Sequence, residues 1–329
     1  MSRLKVTLAI SDYDHVRDLT LGRIEAAGID LVALDLSIEE IFFRFSKFRE
    51  WDVSEMSFAK YASLISQGDD SLTAIPVFPS RVFRQSAVYV RKDAGIKTAK
   101  DLAGRTIGIP EWAQTAGIYA RGWLAHYEGI DIAGVDWRQA GVNQPGRVEK
   151  VKLKLPKGVS VAAHPDACLS DMLVDGTIEA AITAHPPACY KQGHPDVTRL
   201  YEDYQPVEEA YWRETGIFPI MHVIAIRTDL LKRAPWAAKN LLMAFEEAKR
   251  RSVKRAHEIT ASRFPVPWIF NQARASASYF DGDYWPYGVE PNRKTLEAFL
   301  GFCYEQGACH RALSVDELFV PGIDEMFKI

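Results

Sequence analysis

The chain has 329 residues, enough at roughly 100–200 residues per domain for two domains or one large one, so a tethered peptide is excluded. Its 40 Lys and Arg against 43 Asp and Glu give a net charge of −3, which leaves no basic surplus for a phosphate backbone and makes nucleic acid an unexpected partner. Hydrophobic residues at 47%, aromatic at 11% and charged at 25% are ordinary for a globular protein, and no apolar run nears the roughly 20 residues of a membrane span.

At the amino end, one short apolar stretch (Val6 to Ile10) runs directly into Ser11-Asp12-Tyr13-Asp14-His15. A secretory leader has a longer apolar core and a small-residue cleavage site, so a cytoplasmic protein with no membrane partner is expected. Lys5–Ile10, Leu31–Leu36 and Trp51–Met56 read as β runs, and Ile38–Phe48 carries apolar residues at helical spacing. Phe58–Ile65 reads as a helix stopped by Gln67-Gly68-Asp69-Asp70, and Leu72–Phe78 as a strand ending in Pro79. Ser86–Val90 and Thr106–Ile109 are the next strands. The second of them feeds Pro110-Glu111-Trp112-Ala113-Gln114-Thr115 and an apolar-periodic helix through His126, which opens a new α/β unit.

Lys150–Leu155 and Val159–Ala162 read as short β runs and Cys168–Val174 as a helix, followed by a buried strand at Ala180–Thr183 that ends in His185-Pro186-Pro187. Strands alternating with helices predict parallel sheets in an α/β fold. Ile220–Ile226 is a further β run, and Pro235–Thr260 and Asn292–Gln306 read as helices. No Gly/Ser linker divides the chain, so two lobes would have to be joined by strands. Cys168, Cys189, Cys303 and Cys309 form no C-x-x-C pair and are expected to be small, reduced packing residues.

The common cofactor and nucleophile motifs are missing. Gly141-Val142-Asn143-Gln144-Pro145-Gly146-Arg147-Val148 has Walker A glycine spacing but offers Arg-Val where Lys-[Ser/Thr] is needed. There is no G-x-G-x-x-G and no G-x-S-x-G, and His257-Glu258 is followed by Ala261 where a zinc peptidase has its second His. A ligand cleft without a bound coenzyme is the leading reading.

Open α/β sheets place ligands at the carboxyl ends of their strands. There the sequence supplies Asp12 to His15, Glu55-Met56-Ser57, Phe78-Pro79-Ser80-Arg81 with Arg84, Glu111 to Thr115, and Thr183-Ala184-His185. Arg81 and Arg84 are each suited to a two-pronged contact with a carboxylate. Gln114 and Thr115 begin a helix whose amide groups favour an anion, although ordinary capping accounts for Thr115 equally well. His15, His185 and His222 are the candidates for proton transfer, and His222 interrupts the apolar strand Ile220-Met221-His222-Val223-Ile224. Tyr284-Trp285-Pro286-Tyr287-Gly288 is an aromatic loop able to stack on a flat ring or simply to pack.

Four segments carry a family resemblance: Asp52 to Ser57, Phe78-Pro79-Ser80-Arg81-Val82-Phe83-Arg84, Ile109 to Gly117, and Gly216-Ile217-Phe218-Pro219-Ile220-Met221-His222. Together they resemble the 4,5-dihydroxyphthalate decarboxylase family over nearly the whole chain. The resemblance implies a two-lobe, type II periplasmic-binding-protein-like α/β fold with the second lobe inserted in the first and a cleft between them. Lobe one would comprise residues 1–87 and 220–329 and lobe two residues 88–219, with Ser86–Val90 and Ile220–Ile226 suited to the crossings.

The implied activity is non-oxidative decarboxylation of a dihydroxylated aromatic dicarboxylate, 4,5-dihydroxyphthalate to 3,4-dihydroxybenzoate, by protonation of the ring. No coenzyme is expected, and whether a divalent ion assists is left open. The proposed catalytic residues are His222, His15 and His185, with Asp12 or Glu55 orienting one of them. Arg81, Arg84, Ser57, Glu111, Trp112, Gln114, Thr115, Trp285 and Tyr287 are expected to bind the small aromatic carboxylate. Two other readings stay open: a non-catalytic receptor for an aromatic or heteroaromatic acid, and a related enzyme acting on another hydroxylated aromatic acid. The number of subunits, a homo-oligomer included, is also open.

Overall fold

A computed structural model describes residues 3–323; the expected ends of lobe one, residues 1–2 and 324–329, lie outside the described residues. The first elements are β1 (Leu4–Ile10), α1 (Asp14–Thr20), β2 (Ile29–Asp35), α2 (Ile38–Phe48), β3 (Val53–Ser57), α3 (Phe58–Ser66) and β4 (Leu72–Ile75). Then follow β5 (Val88–Arg91), β6 (Thr106–Ile109), α4 (Thr115–His126), β7 (Asp136–Gly141), β8 (Val161–Cys168), α5 (Leu169–Asp175), β9 (Ala180–Ile182), α6 (Ala188–Lys191), β10 (Val197–Arg199) and α7 (Gln205–Thr215). The chain closes with β11 (His222–Arg227), α8 (Thr228–Arg233), α9 (Ala237–Ala256), α10 (Ile269–Tyr279) and α11 (Arg293–Glu305).

The strands form two sheets. One has the order β2-β1-β3-β11-β4 and the other β10-β5-β9-β6-β7-β8. The expected parallel pairing is met in part: β1 pairs parallel with β2 and β3, and β6 with β7 and β9, whereas β11 runs antiparallel to β3 and β4, and β5 antiparallel to β9 and β10. These reversed strands are the β runs expected to serve as crossings. Each instead stays within its own sheet, and the crossing lies just before β11, where Arg81 and Ile220 form an antiparallel bridge. Met221 N–H donates to the Ser80 carbonyl at 2.8 Å and Val82 N–H to the Pro219 carbonyl at 3.2 Å, so two extended segments are laced together there. Lys150–Leu155 is not a strand; Lys154 N–H donates to the Gly307 carbonyl at 2.9 Å instead.

The sheets are buried as their sequences require. All five residues of β3 are buried, as a strand with neighbours on both sides and helices above and below must be. The C-terminal helix α11 packs on both α3 and α4 and so touches the helices that follow β3 and β6. Gly122 makes that approach feasible, since a Cβ there would lie 2.6 Å from Phe302 Cγ. All four cysteines are buried and free, and no helix among the described residues is long and apolar enough to cross a membrane.

Candidate active site

The carboxyl ends of β2, β3, β6, β7 and β9, together with the amino end of the reversed strand β11, converge on a cavity of about 300 Å³. That is the lower end of the size range of small-molecule sites and suits a single-ring ligand. From the predicted set it is lined by Ser57, Arg84, Glu111, Gln114, Thr115, His185 and His222.

His222 is placed by strand register. It lies opposite Ser57 while Ile224 lies opposite Glu55, so His222 and Glu55 are diagonal neighbours across an antiparallel pair. Their side chains meet, with Nδ1 2.6 Å from a Glu55 carboxylate oxygen. That carboxylate is wholly buried and also accepts from Tyr13 O–H at 2.6 Å and Ser11 N–H at 3.0 Å. Burial pushes the Glu55 carboxyl up, but the His222 imidazole and the two other donors outweigh it and hold it below the usual range. An ionised Glu55 takes the Nδ1 proton as its hydrogen bond, which leaves Nε2 as the ring nitrogen available to a ligand. Phe42 meets the imidazole edge-on, with centroids 4.9 Å apart, and fixes its plane.

Arg84 supplies a cation with no carboxylate partner among the described residues. Its Nε and Nη2 reach only the Met221 sulfur, at 3.2 and 2.7 Å. Burial lowers its guanidinium to about 10, still charged at neutral pH. A buried guanidinium held by a thioether retains donors for an anionic ligand.

Glu111 organises the opposite wall. Its carboxylate is 1% exposed and gathers Arg147 at 2.5 Å, Lys60 at 3.2 Å and Lys150 at 3.6 Å. Arg147 also reaches Glu39, at 3.6 Å, so Glu111 both lines the cavity and holds three cations beside it. Burial, aided by the Lys150 and Arg147 charges, pushes the Lys60 ammonium down from its ordinary value against the pull of Glu111. Thr115 begins α4, as expected; its hydroxyl lies 3.0 Å from that of Ser57 and accepts Ala59 N–H at 3.0 Å, tying the starts of α3 and α4 together. Gln114, whose buried Oε1 has no partner, also faces this cavity.

Five predicted residues lie elsewhere. Arg81 is 5% exposed and is consumed at the crossing by the carbonyls of Phe218 and Pro286, at 3.2 and 2.9 Å, and by the Asn292 side chain. Trp112 is core: its Nε1–H donates to the Gln306 carbonyl at 2.7 Å, and Arg121 sits over its ring at 3.9 Å. Trp285 donates to the Phe78 carbonyl at 3.1 Å, and Tyr287 is buried under Lys249, so neither faces this cavity. His15 lies beside Trp285 at the edge of a separate cavity of about 250 Å³, where burial lowers its imidazole to about 4 and keeps it neutral. Asp12 is paired with Arg17 at 2.8 Å and orients no histidine, which leaves that role to Glu55.

Three charged lining residues escaped the sequence reading: Glu39, Lys60 and Arg147. Arg147 belongs to the stretch that failed as a Walker loop. The signal available for it was a basic residue in a loop directly after a strand of the second sheet.

Over 330 aligned residues the chain is 36% identical to 4,5-dihydroxyphthalate decarboxylase of Comamonas testosteroni, covering 100% of both proteins. The chain belongs to the 4,5-dihydroxyphthalate decarboxylase family. A second member, 4,5-dihydroxyphthalate decarboxylase of Pseudomonas putida, is 37% identical over 214 residues, which is 65% of this chain and 83% of that protein. No protein-family model matches.

Among solved structures, the periplasmic sulfonate-binding protein SsuA of Methylobacillus flagellatus KT superposes with a TM-score of 0.56 at 13% identity, covering 98% of this chain and 93% of that one. The aliphatic sulphonate binding protein SsuA of Escherichia coli gives 0.54 at 11% identity, with 99% of each chain covered. These likenesses show the fold, that of the periplasmic binding proteins, and nothing about the ligand.

Proposed function

We propose that this family member decarboxylates 4,5-dihydroxyphthalate to 3,4-dihydroxybenzoate, with His222 as the general acid. The observation that carries the reading is His222, its Nδ1 2.6 Å from the buried Glu55 carboxylate, in the wall of a cavity whose other groups include Arg84, Lys60 and Arg147.

In this substrate each carboxylate lies para to a hydroxyl, so either can be lost, and one arrangement of the site serves both orientations. Arg84 and the start of α4 hold the carboxylate that stays. The His222 imidazolium, supported through Nδ1 by Glu55, gives its Nε2 proton to the ring carbon bearing the other carboxylate. The para hydroxyl pushes electron density onto that carbon as its proton passes to a base, for which His185 and Lys60 are the groups at hand. The new C–H bond uses a ring electron pair. The C–CO2 bond then breaks, its pair restores the aromatic ring, and CO2 leaves.

The phenolate recovers its proton, so the balance is one proton taken up and one CO2 released per turnover. The para hydroxyl supplies the electrons that a coenzyme would otherwise have to handle. Purified protein with no added coenzyme or metal is expected to convert the dicarboxylate to 3,4-dihydroxybenzoate, followed by ultraviolet spectrum and released CO2. Tight binding of the dicarboxylate without its consumption would make the protein a receptor instead.

A further inference from the structure

A second cavity of about 340 Å³ abuts the first and shares Phe42 and Lys60 with it. Its walls are Phe42, Phe43, Leu64 and Val151, and Lys47, Lys60 and Lys150 stand around them. Phe43 is 51% exposed, and the Lys47 ammonium sits 5.4 Å above its ring with no ion-pair partner among the described residues. Lys150 is spoken for only loosely, at 3.6 Å from Glu111. Ser46, whose buried hydroxyl has no partner, completes the wall.

We infer that this cavity is a vestibule: a second, weaker site for an aromatic dicarboxylate, occupied on the way into the catalytic cleft. The inference rests on the proposed substrate and adds the route by which it arrives. Two features select that class of ligand over others. Flat apolar walls of two phenylalanines and two aliphatic residues take the ring, and three ammonium groups take the carboxylates, in a protein whose net charge is −3. The shared wall supplies the connection. Phe42 also lies edge-on to His222, so a molecule leaving the vestibule past Phe42 and Lys60 enters directly beside the proton donor.

The test compares steady-state kinetics of the wild-type protein, Lys47→Glu and Phe43→Ser at low and at high ionic strength. Lys232→Glu, an exposed change on α8 that alters net charge equally, is the control. Lys47→Glu is expected to lower kcat/KM about threefold to tenfold at low salt while kcat stays as in the wild type, and the difference should fade at high salt. Phe43→Ser should lower kcat/KM at either salt concentration.

An unchanged kcat/KM in both vestibule variants, an equal fall in the Lys232→Glu control, or a proportional fall in kcat would each overturn the vestibule. None of these results touches the proposed activity, which fails only if the wild-type protein does not turn over.

Discussion

The Glu55 carboxylate touches His222 and not the cavity, so removing its charge acts on the imidazole rather than on the ligand. Glu55→Gln keeps the shape but withdraws the anion that favours the protonated ring. We expect kcat to fall roughly 10²-fold with KM little changed. Steady-state kinetics on both proteins check this. Arg84→Lys keeps a charge but not the forked geometry, and is expected to raise KM by about tenfold to hundredfold with a smaller effect on kcat, measured by steady-state kinetics.

His15 provides a stability prediction. Its imidazole falls from the ordinary 6.5 to about 4 on folding, chiefly through burial, so between those pH values the unfolded chain binds more protons than the native one. The stability contributed by the neutral ring is intact above pH 6.5 and is lost as pH falls towards 4, by about 3 kcal/mol in total. His15→Gln should flatten this decline in urea-unfolding midpoints taken across the interval.

At this scale the sequence conveyed residue types but not directions. His222 was legible because a titratable group in an apolar strand must meet a partner. Arg81 and Arg84 were inseparable, because which of two nearby arginines turns to the carbonyls of the crossing depends on chain segments more than 130 residues away, as the Arg81 to Phe218 bond shows.

Between elements, the contact of α4 with α11 fixes the start of α4 at the cleft. Gly122→Ala would press a methyl group into the Phe302 ring, and is expected to cost about 1–3 kcal/mol in denaturant unfolding while leaving His222 untouched. Arg81→Ala, at the crossing of the two segments, is expected to destabilise by about 2 kcal/mol or more, because it leaves the Phe218 carbonyl and the Asn292 side-chain oxygen without their donor and the Pro286 carbonyl with Asn292 alone. KM in the folded fraction should change little, whereas a ligand-binding Arg81 would give the opposite pattern.

Most helices and strands with clear periodicity were readable, among them Ile38–Phe48 and Thr106–Ile109, which match α2 and β6 end to end. The helix α7 was hidden because its polar, acidic sequence carries only a weak apolar face, and β7 because Asp136-Trp137-Arg138-Gln139 mixes charges into a short strand. Lys150–Leu155 alternates like a strand but pairs with the turn after α11, a partner far away in sequence.

In the molecule as a whole, two mostly parallel sheets, each with one reversed strand, turn their ligand-bearing edges towards a shared cavity. The alternation of strands and helices signalled the fold class. The reversal of β5 and β11 was not legible, since strand direction depends on which neighbour a strand joins and not on its own pattern. That reversal is what matters for chemistry: it brings the start of β11, with His222, to the same edge as the ends of β3 and β6.

The most direct test is the turnover of His222→Ala on 4,5-dihydroxyphthalate, measured beside its affinity for the same molecule. Ring protonation by His222 predicts that turnover falls by about 10²–10⁴-fold while binding stays within a few-fold of the wild type. A variant that releases CO2 at the wild-type rate would contradict it.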